Sequence, residues 1–186
     1  GPRHAAGALR LGTAIDTEPN GQTSPTSDGD GSDDDGVAPS SGVNWAVGAG
    51  GGSVELTVSG CTADCVVNAW IDWNRDGDFN DAGEQVLNDQ PAANGAQTIT
   101  FNIPSGVSFA GVFNTRFRLY DGSTSGSATP YGLAGFGEVE DYQWTFGPTA
   151  IKLTRLNATT ASDPLALLLL FAALMLTGLS TVRRRK

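Results

Sequence analysis

Residues 66–84 read Val-Val-Asn-Ala-Trp-Ile-Asp-Trp-Asn-Arg-Asp-Gly-Asp-Phe-Asn-Asp-Ala-Gly-Glu, a strongly apolar run that leads into an acidic loop. The run from 66 to 73 is rich in β-branched and aromatic residues, which favour strands. From Asp72 onward, oxygen-bearing side chains occupy alternate positions on both sides of Gly77. The stretch therefore predicts a β-strand that ends in an acidic turn.

The spacing of the acidic loop is typical of a calcium site. Oxygen ligands two residues apart can surround one hard cation, and a glycine between them permits a sharp turn. In the helix–loop–helix form of this loop a glutamate stands at the twelfth position, whereas here that position is Gly83 and the carboxylate follows one residue later. The predicted calcium ligands in the loop are Asp72, Asn74, Asp76, Asp78 and Glu84. The alternative is a solvated acidic turn, because any tight loop contains Asn, Asp and Gly.

Four further segments alternate between apolar and polar residues, namely 53–59, 97–103, 115–120 and 137–146. The side chains predicted to face the core are Val54, Leu56, Val58, Ile99, Phe101, Ile103, Phe117, Leu119, Tyr142, Trp144 and Phe146. Arg116 and Arg118 are predicted to face outward. This pattern predicts an all-β domain over residues 41–148, an antiparallel β-sandwich of jelly-roll or Ig-like type, with a long loop over 121–136.

Residues 1–40 contain mainly Gly, Pro, Ser, Thr and acidic residues, which cannot bury a core. We predict a disordered, flexible acidic linker, with a short strand over residues 9–12. An alternative reading of its acidic run is a second calcium site, because the oxygen-bearing residues alternate there too. Those residues are Asp28, Asp30, Ser32 and Asp34.

The net charge of −9 excludes nucleic acid as a natural partner, because an acidic surface repels phosphate, and it favours divalent cations. Four of the 11 Lys and Arg residues are the last four, so the rest of the chain is more acidic still. Cys61 and Cys65 are predicted to form a disulfide, as nearby cysteines of exported proteins do.

Residues 165–182 form an uncharged apolar run, which as a helix reaches about 27 Å, close to the thickness of a bilayer core. A basic cluster at residues 183–186 follows it. We predict a linker over 149–163 and one transmembrane helix over 164–186, with the β-domain outside the cytoplasm. Because the chain begins Gly-Pro-Arg-His, we expect it to be the C-terminal part of a longer or processed product.

Residues 137–142, Gly-Glu-Val-Glu-Asp-Tyr, resemble the signature of the GEVED domain of bacterial surface and secreted proteins. The segments 70–79 and 115–119 and Glu84 are similar to that family as well, and the resemblance extends over residues 9–146. It implies an extracellular β-rich module. The C-terminal segment resembles sorting signals of the PEP-CTERM and IPTL-CTERM kind, which implies a sorting or processing enzyme as a partner, although Asp163-Pro164 stands where those signals have their named motifs.

The carboxylates of the signature are candidates for completing the shell of the same cation. Glu138 and Asp141 lie on the final strand, from which side chains at a sheet edge can reach a neighbouring loop. Glu140 shares a face with Tyr142, so it is either an inward charge with a partner or a residue at the rim. A structural salt bridge from Glu140 to Arg118 is the alternative to an ion.

These features predict a non-catalytic, calcium-stabilised extracellular module of a bacterial cell-surface or secreted protein, with adhesion as one role. It is attached to the membrane by its C-terminal helix, or secreted after removal of the tail. One alternative is a structural spacer that anchors a larger upstream region. Another is a hydrolase that uses two of its carboxylates. Serine–histidine chemistry has little support, because the only histidine is His4, in the predicted linker.

Overall fold

The computed structural model describes residues 1–5, 7–15 and 34–146, and all regular structure within these ranges is β. Strands form here because apolar and polar residues alternate along these segments, which lets each strand bury one face. The strands are β1 (Arg3–Ala5), β2 (Arg10–Leu11), β3 (Val37–Pro39), β4 (Gly48–Ser59), β5 (Val66–Ile71), β6 (Gln85–Pro91), β7 (Gly95–Ile103), β8 (Val112–Tyr120) and β9 (Leu133–Thr145). The predicted all-β class is confirmed.

The strands form two sheets. One has five strands in the order β1-β9-β8-β5-β6, and the other is built on β4, which pairs with β2, β3 and β7. All pairs are antiparallel except β1 with β9, so the architecture is mixed and not wholly antiparallel. A parallel pair needs a long connection, and the chain between β1 and β9 provides one.

The apolar faces of both sheets contribute to one core. Val54, Leu56 and Val58 of β4 belong to the same buried cluster as Val67 of β5 and Phe117 of β8. The inward positions predicted on β4, β7, β8 and β9 are confirmed, because their side chains are buried or packed against this cluster. Each strand therefore turns its predicted face toward the other sheet.

Aromatic rings fill one end of the core, next to the start of the acidic loop. The Trp45 ring lies 5.0 Å from that of Phe101 and 5.6 Å from that of Trp144. Trp73, which follows Asp72, lies 5.4 Å from the ring of Phe113. The loop thus begins on a rigid apolar base.

The N-terminal residues differ from the flexible linker predicted over 1–40. Strands β1, β2 and β3 lie within this range, and Leu9, Leu11 and Val37 are buried in the core. Strands of two or three residues give little periodic signal in the sequence, and here they form on the longer strands β4 and β9. The short strand predicted over 9–12 is confirmed by β2. Residues 16–33, with most of the alternative second calcium run, lie outside the described residues.

The predicted linker over 149–163 and the predicted membrane segment over 164–186 also lie outside the described residues. Within the described ranges, no helix is long and apolar enough to cross a bilayer. The disulfide between Cys61 and Cys65 is formed, with the two Cα atoms 6.0 Å apart, which confirms that prediction.

Candidate functional site

The acidic loop connects β5 to β6 and is fastened at its start by Asp72. This side chain is only 1% exposed. Its Oδ1 accepts a hydrogen bond from the N–H of Arg75 at 2.6 Å, and its Oδ2 accepts one from the N–H of Gly77 at 3.1 Å. Gly77 has a φ of 93°, a conformation that favours glycine, so its position in the turn has a local cause. Asp72 therefore holds the loop's backbone.

Glu84 fastens the other end of the loop. Its carboxylate, also 1% exposed, accepts hydrogen bonds from the N–H of Trp73 and the N–H of Asp81, both at 3.1 Å. Burial raises the pKa of Glu84 above its usual range. Because these two N–H groups lie near opposite ends of the loop, Glu84 connects the two ends at its base.

Three carboxylates gather at the tip of the loop. Oxygen atoms of Asp76, Asp78 and Asp81 all lie within 4.8 Å of one another. Because calcium binds oxygen at about 2.3–2.6 Å, ligands on opposite sides of one ion lie about 5 Å apart, and this donor set fits calcium. Hydrogen bonding, chiefly from the N–H of Asp78, lowers the pKa of Asp76 and so favours its ionised form. We call these three residues the acidic triad.

Asn74 supports the acidic triad from within the loop. Its Nδ2 donates to Asp76 at 3.0 Å and to Asp81 at 2.6 Å, while its Oδ1 accepts from the N–H of Asp76 at 3.0 Å. Asp81 was missed by the sequence prediction because it falls outside the alternating positions. The turn in which the N–H of Glu84 bonds to the carbonyl of Asp81 brings it back toward the tip.

The predicted ligands on β9 have other partners. Asp141 forms a two-pronged ion pair with Arg116, with Nε to Oδ1 at 2.7 Å and a second guanidinium nitrogen to Oδ2 at 2.5 Å. Glu138 Oε2 accepts a hydrogen bond from the N–H of Leu11 at 2.5 Å. The structure therefore brings Asp76 and Asp78 together with Asp81, and it places Glu138 and Asp141 outside that group.

Comparison with known families agrees with the motifs of this region. Residues 66–145 match the family model of the GEVED domain. The match runs from the start of β5 to the end of β9, so it contains both the acidic loop and the signature strand of the GEVED region. No curated protein and no solved structure matches the chain.

Two arginines of the GEVED region depart from the prediction. Arg116 and Arg118 lie on the sheet face opposite Phe117, as predicted, but both are buried. The loop between β8 and β9 covers them, and its carbonyl groups accept their hydrogen bonds. Arg116 donates to Pro130, and Arg118 donates to Thr129, Tyr131 and Gly132. Buried cations on this face thus organise the loop over 121–132.

Glu140 faces the core side of the GEVED signature strand, and the alternative of a salt bridge to Arg118 is wrong because the two side chains lie on opposite faces of the sheet. Its Oε1 accepts hydrogen bonds from the N–H of Asp35 at 3.1 Å and of Gly36 at 2.9 Å. Its Oε2 accepts one from the hydroxyl of Tyr142 at 2.9 Å. Burial raises the pKa of Glu140 to about 8 and raises that of Tyr142 as well.

Phe79 anchors the acidic loop. The guanidinium of Arg116 lies 5.2 Å from the centre of its ring, and its N–H donates to the hydroxyl of Tyr131 at 3.1 Å. The acidic loop also lines a cavity of about 250 Å³, together with residues 104–107, and its own contribution includes Asn74 and Asp81. Asp81 therefore belongs both to the acidic triad and to an open depression in the surface.

Proposed function

We propose that this chain is a non-catalytic, calcium-stabilised extracellular module, a β-sandwich of jelly-roll or Ig-like type, from a bacterial cell-surface or secreted protein. The acidic triad would hold the cation. The observation that supports this most is the gathering of three carboxylates at the tip of a loop whose other two carboxylates, Asp72 and Glu84, already hold backbone. Asp72 and Glu84 are buried and use both carboxylate oxygens on backbone N–H groups, whereas the acidic triad is partly or fully exposed, where a ligand can reach it.

Charge balance supports the cation. The loop contains one arginine, Arg75, and its guanidinium lies 4.4 Å from the centre of the Phe113 ring and donates to the carbonyl of Ser108. Among the described residues, no arginine forms an ion pair with the acidic triad. Three like charges this close repel one another, and a hard divalent cation relieves that repulsion while accepting oxygen ligands.

The roles of the other carboxylates support a non-catalytic module. Asp72, Glu84 and Glu140 accept backbone N–H groups, and Asp141 is paired with Arg116. A carboxylate that acts as a general acid or base must reach the substrate's proton. We further propose that residues 164–186 attach the module to the membrane or are removed by a sorting enzyme, and that it serves as an adhesive or spacer domain.

The test is thermal unfolding of the full chain with calcium and with chelator, in mild detergent. Calcium at 100 times its dissociation constant stabilises the native state by about 2.7 kcal/mol. For a chain of this size we expect a rise in melting temperature of about 5–10 °C. Asp81→Asn should abolish most of the rise, while the matched control Asp121→Asn, an exposed residue outside the loop, should retain it.

An equal melting temperature in calcium and chelator would contradict the proposed cation. So would a variant Asp81→Asn that responds to calcium as the unaltered chain does. The first result would favour a structural spacer that needs no ion, and the second would contradict binding of the ion by the acidic triad.

A further inference from the structure

The part of the chain before the GEVED region is attached to the signature strand by side chain to backbone hydrogen bonds. Glu138, which is 5% exposed, accepts the N–H of Leu11 in β2. Glu140, which is 1% exposed, accepts the N–H groups of Asp35 and Gly36 just before β3. These contacts join residues more than 100 positions apart in the sequence.

Tyr142, on the same strand, also accepts a backbone N–H of the upstream segments. Its hydroxyl accepts the N–H of Val37 at 2.9 Å while donating to Glu140. Positions 138, 140 and 142 are every second residue of β9, so they lie on one face of the sheet, each about 7 Å from the next. Each accepts a main-chain N–H of the upstream segments, so the GEVED signature presents a row of acceptors for an extended backbone.

The acceptors suit main-chain recognition. A carboxylate makes shorter and stronger hydrogen bonds to N–H groups than a neutral acceptor does. Strands β2 and β3 form backbone hydrogen bonds with β4. The side chains of Glu138, Glu140 and Tyr142 on β9 accept N–H groups of these segments that do not bond to β4. These hydrogen bonds hold the backbone of the docked segments, while the buried side chains of Leu9, Leu11 and Val37 hold them in the core.

Residues 11–13 and 35–36 pack so closely where they meet that only a small residue fits at position 36. A Cβ atom at Gly36 would lie 2.4 Å from the backbone nitrogen of Gly12 and 2.5 Å from the Cβ of Leu11. Asp35 also accepts the N–H of Thr13 at 2.9 Å. The docked chain therefore needs a glycine at position 36, and residues 11–13 and 35–36 form one unit on the strand.

We propose that the GEVED signature strand is a docking site for extended polypeptide, occupied here by residues 9–13 and 34–37 of the same chain. Glu138 and Glu140 supply carboxyl acceptors, and Tyr142 supplies the hydroxyl. The segment that matches the family is thus incomplete without the upstream strands. A free peptide with the sequence of residues 1–15 fits the same site once the chain is cut.

The test uses the full chain with a protease site inserted between residues 20 and 28. After cleavage, the N-terminal fragment should co-elute with the remainder on gel filtration, and added peptide 1–15 should displace it. Glu138→Ala removes a charge-assisted hydrogen bond, so the fragment should dissociate about 10- to 100-fold faster. Glu55→Ala is the matched control, because Glu55 is an exposed glutamate on β4. A fragment lost at once from the unaltered chain, or one released equally by both variants, would overturn the proposal.

Hydrogen exchange on the uncut chain separates docking from general loss of stability. Glu138→Gln should accelerate exchange at the Leu11 amide and leave the amides of Asp35 and Gly36 unchanged. Glu140→Gln should do the reverse. Faster exchange at all three amides together with that of Phe117 in the core, or at none of them, would contradict a row of separate acceptors.

Discussion

The ion pair between Arg116 and Asp141 provides a quantitative test of how the GEVED signature holds the fold. Both side chains are buried, and the pairing register places them opposite each other on β8 and β9. Substituting Asp141→Asn keeps the shape of the side chain and removes its negative charge. Arg116 keeps its hydrogen bond to the carbonyl of Pro130 at 2.8 Å and its contact with the ring of Phe79, but it loses the charge that compensates its own.

The expected cost follows from the burial of the pair. Removing one partner of a buried ion pair costs about 3–5 kcal/mol, because an uncompensated charge remains in the interior. The contacts that Arg116 keeps place the expected value near the lower limit, about 3 kcal/mol. For a chain of this length that corresponds to a fall in melting temperature of about 6–12 °C.

The assay is urea unfolding of the full chain in mild detergent, with Asp121→Asn as the control. That exposed aspartate should change stability by less than about 0.5 kcal/mol. The midpoint for Asp141→Asn should fall while the dependence on urea stays unchanged. A loss below about 1 kcal/mol would show that Asp141 does not compensate the buried charge of Arg116. Asp141 would then not be required to hold Arg116 beneath the loop over 121–132.

Two pH predictions follow from buried groups. Burial raises the pKa of Glu140 to about 8, so the native state binds a proton that the unfolded chain releases above about 4.5. The contribution of Glu140 to stability is present at low pH and is lost as the pH rises through about 8. The difference in unfolding free energy between the unaltered chain and Glu140→Gln, measured in urea, should therefore shrink from pH 5 to pH 9. A constant difference would contradict this prediction. Burial, with the nearby Arg118, lowers the pKa of His4 to about 3, so the folded protein holds this imidazole in its neutral form. The contribution of His4 to the stability of the fold is therefore present above about pH 6.5 and is lost as the pH falls toward 3. Amides of β1 should lose protection below pH 6 by NMR, and unchanged protection at pH 4 would refute the buried, neutral imidazole.

The sequence by itself determined the features that depend on neighbouring residues. Alternation along β4, β7, β8 and β9 assigned the buried faces, because a strand places every second side chain on the same side. The composition of residues 72–84 identified an acidic loop after β5, and the spacing of Cys61 and Cys65 predicted their bridge. Residues 137–142 identified the GEVED resemblance in the part of the chain that the family model matches.

Only the tertiary structure decided which polar groups meet. Asp81 joins the acidic triad through a turn, which the alternating pattern does not encode. Arg118 is buried because the loop that follows β8 folds back over it, and the carboxyl group of Glu140 accepts hydrogen bonds from amides that lie 104 and 105 positions earlier in the chain. A strand pattern specifies the face on which a side chain lies, but the partner on that face depends on how remote segments pack.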